Sequence, residues 1–425
     1  AAHTANFRIR FMITNDATVA YYGWLIDDIK ISATGSVAAP VVWTPNGAGS
    51  GLYTDAAATI IYNGAAITTV HARPSATTTF TATATAPGGC TAVNTTVVTV
   101  KPLNTWLGIN TNWNDPVNWC PGVPTATSDV IIPNAVANYP VITLTTPVAR
   151  NITIQNAANI TINAGGLLNV KGNLLNSGTI ANNGTLSMNG TITQSFPGNA
   201  GTIAAMNILE IANTGTATAV QLDKNISITG ELKPTSGVLA LGNFDVTIRS
   251  TATATARVSS LGGTASFTYG TGRFVVERFV KSARKWRFLS IPTTTTQTVK
   301  TAWQEGAANQ AANPVPGYGT QIPSFFTDWG LRGFDNISPG GHSMKYWDEA
   351  TQAYIGQPNT SSAIASNKGY MLFIRGDRTV IGTAAATATT MRTRGPLKTG
   401  AVSVNYPSLA INKFVSAGNP YASAI

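Results

Sequence analysis

The side chains able to do chemistry in this chain are few. Its 425 residues include three histidines, His3, His71 and His342, and two cysteines, Cys90 and Cys120. No histidine has an adjacent partner of the type that general acid–base or nucleophilic catalysis needs. The sequence contains no H-E-x-x-H zinc motif and no G-x-S-x-G elbow, and "GYG" at 317–319 lacks the strand and helix that a phosphate-cradling loop requires. The cysteines stand in no metal-ligand spacing. Glycoside hydrolysis needs two carboxylates across one groove. Between 103 and 262 the acids are Asp115, Asp129, Glu210, Asp223, Glu231 and Asp245, widely separated in sequence. No catalytic residue is assigned, and the chain is expected not to be an enzyme.

Binding chemistry is better supplied. From Arg273 onward there are 16 Lys or Arg against 7 Asp or Glu, whereas the preceding residues hold 11 and 10, so the net +10 belongs to the last third. Within "ERFVKSARKWRF" the cations Arg278, Lys281, Arg284, Lys285 and Arg287 stand among aromatic residues. They are candidates for a polyanion surface; the competing reading is a strand with basic residues on its solvent face. No nucleic-acid-binding motif accompanies them, so nucleic acid is not an expected partner. Phe325, Trp329, Trp347 and Tyr354 are candidates for stacking on sugar rings, with burial in a loop-rich core as the alternative. "GYMLFIRGDRTVIG" at 369–382 contains Arg375-Gly376-Asp377, the tripeptide that integrins read. Asp377 can accept hydrogen bonds from Arg375 or Arg378 and fix a turn after the apolar strand, so the tripeptide is expected to be architecture.

The elements that must position these groups are strands. Charged residues make up only 10%, against ~25% in ordinary globular chains. Thr, Val and Ile favour a pleated sheet, with Gly and Asn supplying turns. No sustained helical stripe is visible, and no apolar run approaches the ~18 residues of a membrane span. The chain is expected to be all-β and multidomain. Residues 1–34 give a hairpin that cannot bury a core alone; 36–102 give short strands between turn signals, as in an Ig-like sandwich. In 103–262, short Ile, Leu and Val strands alternate with Asn and Gly, as in "NITIQNA", "NITINAGG" and "TIANNGTLSMNG". That recurrence predicts a parallel β-helix with strands stacked along one axis. Asn side chains bond along its corners, and the opening with Trp113 and Trp119 serves as a cap. A second sandwich of hairpins, with "NNG" and "MNG" as type I′ turns, is the rival. Residues 270–398 form a β-rich, sandwich-like module with one short helix at "TAWQEGAANQ", and 399–425 start a further β region.

Several stretches resemble modules of large secreted and cell-surface proteins of the Bacteroidota. "GWLIDDIKI" is similar to the last strand of appended jelly-roll modules, in which Asp27 and Asp28 would help to hold calcium. "VVWTPNGAGSGLYTDAAATIIYNG" with "TTTFTATATAPGGCT" resembles their Ig-like repeats, and "NW…PGVPT…DVIIP" the entry to their β-helical segments. "WRFLSIP", "AWQEG" and "RGDR" resemble a module near their C-termini, and "GNPY" the region before a type IX secretion signal. The resemblance implies a secreted, extracellular or cell-surface location and a structural or adhesive role, with fibre assembly as one form of it. The alternative is a carbohydrate-binding accessory segment of a secreted hydrolase. No cofactor beyond calcium is expected; partners would be other copies of the chain, other surface proteins or polysaccharide. Cys90 and Cys120 are a candidate disulfide in an oxidising compartment. With no initiator Met and no leader, the sequence is expected to start inside a longer or processed product. If it is instead a mature unit, residues 1–34 would pair with 399–425 of the next copy.

Overall fold

A computed structural model describes residues 40–86, 89–198, 201–216, 219–307, 313–336, 341–405 and 410–423. The predicted hairpin of 1–34, with Asp27 and Asp28, lies outside these residues. The chain is all-β and multidomain: among the described residues the helices are the α-helix Val299–Trp303 and the 3₁₀ turn Pro116–Asn118. It divides into two compact units, residues 1–107 with 115–123, and residues 108–114 with 124–425.

In the first unit, Val41–Thr44, Thr78–Thr85 and Thr91–Val98 form an antiparallel sheet, and Leu52–Tyr53 pairs with His71–Ala72. Alternation puts Val41 and Trp43 inward, where Leu52, Tyr62, Val70 and Phe80 meet them. The Trp43 indole N–H donates to the Ile67 carbonyl at 3.0 Å, so this large ring is buried without orphaning its donor. The tryptophan-rich opening belongs to both units. Trp106 and Trp119 pack edge to face at 4.9 Å in the first, whereas Trp113 is buried in the second.

The second unit is built on a parallel β-solenoid. One row runs from Val141–Ile142 through Asn159–Ile162 to the long strands Thr179–Met188, Thr202–Ala212 and Ile226–Ser236, then Val246–Ile248 and Phe274–Val280. The long strands bend, and their second halves carry another row with Leu167–Val170 and Arg257–Val258. Shorter strands, from Val130–Ile132 to Ser266–Thr268, make the third side. Like residues stand in register: Leu168, Leu186, Leu209, Leu232 and Val258 form one internal column. Each is buried, and a fully buried Leu or Val contributes ~1.5–3 kcal/mol, realised only when the next coil covers it.

Asparagine makes the corners. In Asn176-Ser177-Gly178 and Asn182-Asn183-Gly184 the side-chain oxygen accepts the glycine N–H two residues on, at 3.0 Å in each. The amide of the same asparagine then donates to the next coil, to the Thr202 carbonyl at 3.1 Å and the Ile208 carbonyl at 3.0 Å. "NNG" is thus an Asx turn inside a continuous strand and not a hairpin. A Cβ at Gly184 would stand 2.3 Å from the Asn163 carbonyl oxygen, so only glycine lets adjacent coils approach this closely.

The expected boundary between 262 and 270 is absent. Phe274–Val280 pairs in parallel with Val246–Ile248 on one side and antiparallel with Thr389–Gly395 on the other. The last solenoid strand is therefore the first strand of the C-terminal module, and a strand from far along the chain covers its open edge. The module adds an antiparallel sheet ordered Lys285–Leu289, Tyr370–Ile374, Met344–Asp348, Ala353–Gly356. Trp303, Ile322, Phe334 and Leu372 centre its core. The short helix begins earlier than "TAWQEG" suggested, because Thr298 and Thr301 form a reciprocal cap. Glu305 and Gly306, both with positive φ, follow its end.

Residues 410–423, within the stretch expected to start a further β region, carry no strand. The Trp347 indole donates to the Phe414 carbonyl, Ser290 Oγ to the Asn419 carbonyl, and the Val258 N–H to the Ala422 carbonyl. These bonds fasten this strap to its own unit, while Ile411 and Phe414 stay exposed.

Candidate functional site

The Arg-Gly-Asp stretch is interior. Asp377 accepts the Gly317 N–H at 2.8 Å and the Thr379 N–H at 3.0 Å. Arg378, fully buried, pairs with Asp335, which also accepts from the Ile322 N–H at 2.7 Å and the Gln304 amide at 2.9 Å. Arg375 donates to Ser343 Oγ and lies over the Phe373 ring. Gly376 has φ +146°, and a Cβ there would meet Thr387 Oγ1 at 2.5 Å. The expected partners of Asp377, Arg375 and Arg378, are replaced by Gly317 and Thr379, but the architectural role stands.

The five cations of the basic cluster separate. Arg278, Lys281 and Arg287 line one cleft of about 450 Å³, walled by Phe279, Phe288 and the strap residues Asn419 and Tyr421. Arg284 is turned away, donating to the Gly382 carbonyl at 2.7 Å and to that of Ala384, so it tethers the loop after the Arg-Gly-Asp turn. Lys285 is exposed outside the cleft. Burial lowers the Arg278 guanidinium pKa, and the guanidinium donates to the Glu277 carbonyl at 2.7 Å. No carboxylate among the described residues pairs with Arg278, Lys281 or Arg287.

Two of the four aromatic candidates come together. Trp347 and Tyr354 face each other across neighbouring strands with ring centres 5.0 Å apart, and Phe288 approaches Tyr354 at 6.1 Å. On the same sheet face Trp286 packs edge-on against Phe373, with Lys345 over the Trp286 ring. Phe325 is 70% exposed and packs edge-on with His342, whereas Trp329 packs against the core. Phe288, itself 69% exposed, borders both the cleft and the aromatic face. Sequence reasoning noted the aromatic residues of this stretch but did not count Phe288 among the stacking candidates. The alternation of basic and aromatic residues there was the usable signal.

The acids of the solenoid are engaged in structure. Arg150 holds Asp129 below the usual carboxylate range. Burial pushes Glu210, Glu231 and Asp245 up, but Lys233, Arg257 and Arg394 respectively, with neighbouring hydrogen bonds, leave each below its ordinary value. Glu210 and Lys233, and Glu231 and Arg257, are direct cross-strand partners, each 2.9 Å apart. Asp223 accepts from Ser195 and Gly198, and Asp115 caps the turn Pro116–Asn118. Among the described residues no three or more His, Cys, Asp or Glu stand together as metal ligands, and no helix is long and apolar enough to cross a membrane.

The predicted disulfide does not form. Cys90 lies exposed in the connection between Thr78–Thr85 and Thr91–Val98, whereas Cys120 is buried before Pro121, and both are free thiols. Burial pushes the Cys120 thiol up to about 11, so its reactive thiolate is scarce at neutral pH. Iodoacetamide at pH 8 should alkylate Cys90 in the native chain and reach Cys120 only after unfolding. Peptide mass mapping that finds neither labelled, and both released by reductant, would restore the disulfide.

Residues 105–254 match the family described as Domain of unknown function (DUF8693), covering part of the tryptophan-rich opening and most of the solenoid coils. No curated protein and no solved structure matches the chain.

Proposed function

We propose that this chain is a non-enzymatic structural and adhesive segment of a large secreted bacterial surface protein, of the Bacteroidota type that its motifs resemble. The observation that carries the reading is the continuous sheet from Val141–Ile142 to Thr389–Gly395, which joins a stacked spacer to a terminal module without a flexible linker. Such an element works by holding a surface at a distance, and quasi-one-dimensional stacking suits that task. The solenoid acids support it, since ion pairs and caps employ them. Secretion by the type IX route rests on the motif resemblance alone.

The labelled chain should be retained on intact bacterial cells or on their extracellular matrix. Incubation with polysaccharide and protein panels should release no reducing ends or peptides. Turnover of any of these, or loss of the label on a single wash, would count against the reading.

A further inference from the structure

We propose that the cleft of Arg278, Lys281 and Arg287, with the aromatic rim beginning at Phe288, binds an anionic polysaccharide: its carboxylate groups meet the cations and its sugar rings lie on the aromatic side chains. The proposal rests on the surface-adhesive reading above and names its ligand class.

Charge accounting in the second unit points to it. Arg249, Arg257, Arg332, Arg378, Arg392 and Arg394 each hold a carboxylate. Among the described residues other cations of the unit, Arg273 and Arg284 among them, also lack a carboxylate, but Arg278, Lys281 and Arg287 are three that converge on one cleft. The neutral polar side chains that line it are already committed. Ser290 donates to the Asn419 carbonyl, the Asn419 amide to the Ser423 carbonyl, and the Tyr421 hydroxyl to the Gly400 carbonyl. The uncommitted donors are therefore all cationic, and the complement is a ligand rich in anionic acceptors. About 450 Å³ falls within the ~300–1,000 Å³ range of ligand clefts. The ligand extends beyond it, because Phe288 leads to Tyr354 and Trp347 along the exposed sheet face.

Single-stranded nucleic acid also combines charge with stacking, but its backbone needs a track of cations along every nucleotide. Here the three cations of the cleft give way to an aromatic face whose Lys345 is already seated over the Trp286 ring, so the track of cations does not continue. A glycan with sparser charges needs no such track.

The test uses the full chain with hyaluronate and gellan, whose carboxylates are spaced by uncharged sugars, and with neutral dextran and oligo-dT as probes, measured by calorimetry at two salt concentrations. Salt-sensitive binding to one or both acidic glycans is expected, weakened about tenfold or more in the Lys281→Gln/Arg287→Gln variant, as loss of charge-assisted contacts implies. Phe288→Ala should weaken it roughly threefold or more, given the worth of a stacked ring. Circular dichroism verifies that the variants fold. Absence of binding to both acidic glycans, equal binding to dextran, tighter binding to oligo-dT, or affinity unchanged in the double variant overturns the proposal. Cells that retain the double variant as well as the parent chain would leave the adhesive reading intact while removing this one.

Discussion

Replacing Arg378 with alanine is expected to cost ~3–5 kcal/mol, the penalty for leaving one member of a buried ion pair without its counter-charge. The uncompensated group is Asp335, almost fully buried, to which Ile322 and Gln304 also donate. These bonds span the helix end, the loop at 320–335 and the turn after Tyr370–Ile374, so the loss is felt throughout the module core. Arg375→Ala, three residues away, removes one hydrogen bond and a ring contact and should cost about 1 kcal/mol. Urea unfolding, with hydrogen exchange to localise the affected transition in this multidomain chain, measures both. Equal small effects would show that Arg378 does not sustain the module.

The second large effect is expected at a solenoid corner. Asn182→Ala leaves the Gly184 N–H and the Ile208 carbonyl without their side-chain partners; at ~1–3 kcal/mol for each unsatisfied buried group, the sum is about 2–6 kcal/mol. Neighbouring coils should loosen with it, because each coil is stabilised chiefly by the next. Asn182→Asp adds a signature. Its carboxylate can still accept from Gly184, but it opposes the Ile208 carbonyl, so the folded-state pKa rises above the unfolded value. That variant should be more stable in acid, where the carboxyl is protonated and can donate, and should lose stability as pH rises through the folded pKa. A pH-independent Asp variant, or exchange protection unchanged at 160–186 and 202–211 in the Ala variant, would show that the corner bonds are dispensable.

What was legible in the sequence was local. Alternating Ile, Leu and Val with Asn-x-Gly corners announces stacked coils, because strand period and corner chemistry lie within a few residues of each other. The end of the solenoid was not legible: "GRFVVERFV" is both its last strand and the module's first, and its partner Thr389–Gly395 is remote in sequence. Distance also hid the role of Arg378. Its turn neighbours were visible, whereas its counter-charge Asp335 lies across a loop-rich stretch. At the candidate site the five cations read as one patch, because a sequence does not show which way each side chain turns. Arg284 is spent on carbonyls of a distant loop. Trp329 met the bland expectation of a core aromatic, whereas Phe288, not among the aromatic candidates, stands exposed at the edge of the cleft.

The shared strand Phe274–Val280 has a consequence for biosynthesis. As the chain is made from its N-terminus, each coil can settle on the one before it, so the solenoid can grow in the order of translation. Its last edge differs. Thr389–Gly395 can cover that edge only after residues 281–388 have emerged. During that interval a row of free N–H and C=O groups stands open on a β-strand, a template for any nascent chain alongside. Completion of the C-terminal module is thus the step that ends the vulnerable period of the whole second unit, and premature termination anywhere in 281–388 would leave a correctly coiled but adhesive-edged product.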